Sequence, residues 1–103
     1  MELAASIVTY TVDPAQADLL RDRVRDHLVP AAQALPGYKG FALFDQGENR
    51  RMAILLFESI EQVGNAQHAL SPVGEEYTYA LMTGPAIGSA ARALVADGLF
   101  ALP

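Results

Sequence analysis

Ser89-Ala90-Ala91-Arg92-Ala93-Leu94-Val95-Ala96-Asp97 is the stretch on which the fold turns. Its alanines and leucine favour a helix locally, and Gly98 would stop one. The elements that precede it argue the other way. A helix here leaves three strands and a sheet with an unpaired edge. A strand completes the order strand, helix, strand, strand, helix, strand, the split βαβ unit in which four antiparallel strands carry both helices on one face. We therefore read Ser89–Asp97 as the last strand. Gly84-Pro85-Ala86-Ile87-Gly88 lacks the strand-to-helix setting and the glycine spacing of a nucleotide loop, so it reads as the turn that leads into that strand.

Working outward, Leu3 to Val12 is rich in Ile, Val, Thr and Tyr and carries apolar residues on both parities, as a strand covered on two sides would. Asp13 offers an N-cap oxygen, Pro14 suits a first helical position, and Gln16 completes a capping pattern. Leu20, Val24, Leu28, Ala31 and Leu35 then recur at helical spacing. Pro30 predicts a kink or break near Leu28, and Pro36-Gly37 a stop. Tyr38–Phe44 and Arg51–Phe57 flank a polar segment, Asp45–Asn49, which predicts an antiparallel hairpin with a loop of about five residues. Ser59 with Gln62 starts a second helix. It is expected to end or bend at Ser71-Pro72, with Ser71 capping a further segment from Pro72 to about Met82.

The chain has 103 residues, and residues 1–103 read as one domain, since a second core would starve the first. Half of it is apolar and mean hydropathy is +0.18, which excludes intrinsic disorder. A net charge of -5 and a pI near 4.7 have the wrong sign for a nucleic-acid binder. There is no cysteine, hence no disulfide, thiolate chemistry or sulfur-ligated metal. No basic n-region precedes an apolar run, and the longest uncharged stretch, Tyr77–Ala91, is too short to cross a bilayer, so no membrane association and a cytoplasmic setting are expected. Two-sided apolar strands have a further consequence. Helices cover one sheet face only, and Leu3, Ile7 and Ile54 make the other apolar as well, which predicts a homodimer with facing sheets. The tail Leu99–Pro103 either lies across the partner or is a disordered terminus.

His68 and His27 are the side chains whose ordinary pKa lies near neutrality, which makes them candidates for a general base. Tyr10, Tyr38, Tyr77 and Tyr79 are candidate phenolic donors toward a carbonyl or oxyanion in an apolar cavity, with Phe57 a candidate aromatic wall. Tyr77 and Tyr79 point to different sides of a helix and cannot both line one pocket. Glu75-Glu76 diverge by about 100° on a helix and read as a solvated pair. No metal site is expected, because the two histidines lie far apart with no carboxylate at ligand spacing.

The order of elements and three strings resemble the antibiotic biosynthesis monooxygenase superfamily of dimeric α+β barrels. Leu35-Pro36-Gly37-Tyr38-Lys39-Gly40-Phe41 is similar to the family's entry to its second strand. Phe57-Glu58-Ser59-Ile60-Glu61 is similar to the link from third strand to second helix, and His68-Ala69-Leu70-Ser71-Pro72 to a segment within that helix. The resemblance spans nearly the whole chain and implies a ferredoxin-like α+β fold with a four-stranded antiparallel sheet, paired into a dimeric barrel. It also implies that His68 stands on the helix that walls the pocket. In the haem-degrading branch a Trp falls at the position of His68 and the axial His at Thr78; this chain has no Trp and Thr78 offers no such iron ligand, so no haem is expected, and no other cofactor.

Two functional readings follow. One is a cofactor-independent monooxygenase acting on an apolar phenolic or polyketide-like molecule, with His68 as base, Tyr77 as oxyanion donor, and Tyr10, Tyr38 and Phe57 around the ligand. The other is a non-catalytic dimeric domain that binds a ligand or serves an accessory role.

Overall fold

The computed structural model describes residues 2–98. Strands β1 (Ala4–Thr11), β2 (Tyr38–Gly47), β3 (Arg50–Phe57) and β4 (Ile87–Arg92) form one antiparallel sheet in the order β2-β3-β1-β4. Helices α1 (Ala17–Arg23) and α2 (Val29–Gln33) follow β1, and α3 (Ile60–Tyr77) follows β3. This is the expected α+β, ferredoxin-like βαββαβ arrangement.

The deciding stretch is a strand, displaced toward the N-terminus of its expected span. β4 begins at Ile87 and stops at Arg92, because its partner β1 runs out: the register goes from Ile87 opposite Thr9 to Arg92 opposite Ala4. One more backbone bond, from Ala93 N–H to the Leu3 carbonyl at 2.9 Å, ends the pairing. Ala93–Asp97 then leaves the sheet, with Leu94 97% and Val95 92% exposed. Pairing with a central strand outweighs the helix preference of alanine up to the point where the partner ends. The tail from Leu99 to Pro103 lies outside the described residues.

Three local expectations need correction. The kink foreseen at Leu28 is a π-helical turn, Val24–Leu28, joining α1 to α2, in which the Val29 N–H reaches back five residues to the Val24 carbonyl. Pro30 has no N–H for the Asp26 carbonyl and its ring would crowd that oxygen, so a wider turn just before it lets the helix continue. The hairpin loop is two residues rather than about five. Glu48 (φ 54°) and Asn49 (φ 62°) form it, both left-handed as a type I′ turn requires, between the paired residues Gly47 and Arg50. Asp45 supports the turn, its Oδ1 accepting from the Gly47 N–H at 2.8 Å.

The third correction concerns α3, which begins as foreseen, with Ser59 Oγ accepting from the Gln62 N–H at 3.2 Å. It does not break at Pro72 but runs to Tyr77. Val63, Ala66, Leu70 and Gly74 form its buried stripe, while His68 and Pro72 are exposed. The carbonyl that loses its partner to Pro72 is that of His68, on the watered side, so the cost is small.

The helices cover the sheet face that carries Ala4, Ser6 and Tyr10 of β1 and Ala53, Leu55 and Phe57 of β3, all buried. Between sheet and helices lie two clusters. One groups Phe57, Leu55, Val63, Ala66 and Leu70, the other Tyr10, Val12, Leu20 and Val24. The opposite face is apolar too: Ile7 stands across from Ile54, Ala5 from Leu56, and Ala42 from Ile54. On β4 the neighbouring Ile87 is 68% exposed. Among the described residues no helix is long and apolar enough to cross a membrane.

Candidate functional site

Where the two clusters meet, the packing leaves a cavity of about 300 Å³ between sheet and helices. Its floor is the helix-facing row of β1, Ser6, Val8 and Tyr10, with Ala53 and Leu55 of β3 beside it and Gly88 of β4 at the edge. Val24 and Leu28, the two ends of the π turn, form one wall, so the proline-driven widening of the first helix shapes the cavity. Leu70 and Gly74 of α3 form the other, followed by Thr78, Tyr79 and Met82.

Six polar side chains line this space, and three of them, Ser6, Gln67 and Thr78, are held by the protein. Gln67 Nε2 donates to Ser6 Oγ and to the Ser89 carbonyl, each at 3.0 Å, which ties α3 to β1 and β4. Thr78 is buried, and its hydroxyl donates to the Gly74 carbonyl at 2.9 Å. Tyr79, 43% exposed, lies with its ring against Gly74: a Cβ there would stand 2.7 Å from two ring carbons. A glycine in the last turn of α3 is thus the condition for Tyr79 to lie where it does. Tyr10 is buried, and the cost of desolvating a phenolate raises its pKa, against an opposing pull from the Arg51 guanidinium. Arg51 stands opposite Tyr10 in the β1–β3 register and is held by Asp45 at 3.0 Å.

Of the residues singled out from the sequence, Tyr10 lines this cavity. His68 does not; it is exposed on α3, next to Gln67, which does. Successive helical residues diverge by about 100°, and the buried stripe through Val63, Ala66 and Leu70 brings position 67 to the sheet and turns 68 to water. Tyr77 is turned toward the first helix, where its ring stacks on that of His27 with centroids 3.8 Å apart and planes within 4°, and its carbonyl accepts from Arg23 Nη1 at 3.2 Å. Tyr79 lines the cavity from the 3-10 turn Tyr79–Leu81, beyond the end of α3, so the helical spacing argued for the pair does not apply to it. Phe57 is fully buried in the first cluster, and Tyr38 meets it edge to face at 6.1 Å; neither lines the cavity. Burial raises the Tyr38 pKa as well. The positions that sequence reasoning missed are Ser6, Gln67 and Gly74. A serine on the buried parity of an apolar strand, and a glycine five residues before a tyrosine, were the signals available. Among the described residues no group of three His, Asp or Glu could hold a metal ion.

No family model matches the chain, and no curated protein matches it. Solved structures do. A protein of unknown function from Nitrosomonas europaea superposes with a TM-score of 0.79 at 19% identity, over 100% of this chain and 96% of that one. A candidate antibiotic biosynthesis monooxygenase from the same organism gives 0.75 at 13% identity over 93% and 94%. Another, from Caulobacter crescentus, gives 0.73 at 16% identity over 91% and 92%. At these identities the likeness is one of fold: the chain has the architecture of structures assigned to antibiotic biosynthesis monooxygenases.

Proposed function

We propose that this protein is a homodimeric binding domain that takes an apolar small molecule into the cavity between its sheet and its helices. The observation that carries the reading is the cavity itself: about 300 Å³, walled by Val8, Val24, Leu28, Leu55 and Leu70, with no Asp, Glu, Lys, Arg or His among its lining residues. Sites for small organic ligands have this size and an apolar lining with few polar groups. The dimer is supported by the open sheet face, whose half-buried Ile7 and Ile54 and exposed Ile87 would otherwise keep apolar surface in water.

A second reading, a cofactor-independent monooxygenase acting on a phenolic or polyketide-like molecule, draws support from Tyr10 among the residues that line the cavity and from the names given to the structural neighbours. With His68 away from the cavity, no side chain lining it is an ordinary base at neutral pH, so such a substrate would have to ionise by itself. Native mass spectrometry of the freshly purified protein, followed by denaturing extraction, separates the readings. A dimer carrying an apolar molecule that is released unchanged supports the binding domain. Oxygen uptake when the extracted molecule is added back in excess supports the enzyme, and a monomer contradicts the dimer in both.

A further inference from the structure

The hydrogen-bonding capacity of the cavity can be counted group by group. The Thr78 hydroxyl spends its proton on the Gly74 carbonyl, and Gln67 spends both amide hydrogens on Ser6 and Ser89. Tyr10, Ser71 and Tyr79 differ: among the described residues their hydroxyls make no hydrogen bond, and of the three Tyr10 is the most buried, at 7% exposed against 43% for Tyr79. Phenols of largely buried tyrosines ordinarily have a partner; the Tyr10 oxygen is not itself sealed from solvent and keeps a donor to give. Like any phenol it is protonated at neutral pH, and burial moves its pKa further from that range.

The charge count points the same way. No ionised side chain lines the cavity. The cation nearest in register, Arg51, donates Nη1 to Asp45 Oδ1 and to the Arg50 carbonyl, both at 3.0 Å, and is not part of the lining. A carboxylate or phosphate in this space would lose hydration, and the one cation whose field reaches Tyr10, Arg51, is already neutralised by Asp45. Between Tyr10 and Ser6, about 13 Å apart along β1 at the usual rise per residue, the floor is Val8 with Leu55 beside it.

We infer that the cavity selects an uncharged ligand that seats a carbonyl-type oxygen on the Tyr10 hydroxyl and lays its apolar body over Val8 and Leu55, and that it rejects the corresponding carboxylate. The assignment rests on the cavity being a binding site. Three probes of one shape test both: 2-acetylnaphthalene, 2-ethylnaphthalene and 2-naphthoate, titrated calorimetrically into the full chain at neutral pH. The ketone binds about five- to tenfold more tightly than the hydrocarbon, the worth of one hydrogen bond, and the naphthoate more weakly than both. In Tyr10→Phe the ketone falls to the level of the hydrocarbon, whose unchanged affinity reports an intact cavity. A ketone advantage that survives Tyr10→Phe, equal binding of ketone and hydrocarbon, or a naphthoate as tight as the ketone overturns the assignment and leaves the binding site standing. If none of the three binds, the binding site itself falls.

Discussion

Gly74→Ala is a perturbation whose two effects have opposite sign. Alanine in a helix interior is favoured over glycine by about 1 kcal/mol. The new Cβ, however, would stand 2.7 Å from Cε1 and Cζ of Tyr79 and 2.9 Å from its hydroxyl oxygen. Carbon atoms rest at about 3.5–4.0 Å, so the ring must retreat by about 1 Å or swing away. It can, because those atoms are the far end of a side chain that is already 43% exposed. Releasing one half-exposed ring from its contact costs about 0.5–1.5 kcal/mol, close to what the helix gains. The expected outcome is a midpoint of thermal unfolding within about 8 °C of the parent, equivalent to about 1 kcal/mol. Binding changes more: with Tyr79 lifted from the cavity, 2-ethylnaphthalene loses a wall and its affinity drops about fivefold, again about 1 kcal/mol. Differential scanning calorimetry and a binding titration read the two effects separately. A loss of 3 kcal/mol or more would show that Tyr79 cannot yield. Unchanged stability together with unchanged affinity would show that the tyrosine does not wall the ligand site.

Three other outcomes are expected. Gly37→Ala places a side chain at φ 80° and drives its Cβ into the Gln62 amide, so it should destabilise by about 2 kcal/mol or more, lowering the unfolding midpoint by roughly 8–16 °C. Ile54→Asp, on the open sheet face, should reduce the mass in multi-angle light scattering from about twice the 11.0 kDa chain to once. Alkaline pH should destabilise: Tyr10 and Tyr38 hold their protons above the ordinary phenol value of 10.0, so the folded state binds them more tightly than the unfolded chain. Their contribution is full below about pH 10 and is lost as pH rises through the folded values, and urea midpoints on either side of that pH should fall less in Tyr10→Phe than in the parent.

The element order was legible because each strand and helix start carries a local signal, from Asp13-Pro14 at the first helix to Ser59 and Gln62 at the third. That Pro30 disturbs the helix just before it was legible from the proline itself, though not that the disturbance is a π turn in a helix that continues. Pro72 misled because a proline is costly only where the carbonyl it orphans is buried, and which side of α3 faces water is a tertiary fact. Glu48 and Asn49 misled because asparagine takes left-handed φ readily whereas glutamate there carries no such signal. The candidate site was legible in kind and poorly in detail. Tyr10 was named with the chain's three other tyrosines as a candidate phenol, and of these four Tyr10 and Tyr79 line the cavity. His68 misses the cavity by one helical position, and the cavity polar group there, Gln67, has no sequence signature until Ser6 and Ser89 are seen on either side of it.

The decisive measurement is the amide chemical-shift map of the full chain titrated with 2-ethylnaphthalene. If the cavity is the ligand site, the shifts concentrate at Ser6, Val8, Leu55, Gly74 and Gly88, which line it from both sheet and helix. Shifts gathered at Ile7, Ile54 and Ile87 on the open sheet face, or none at all, would contradict it.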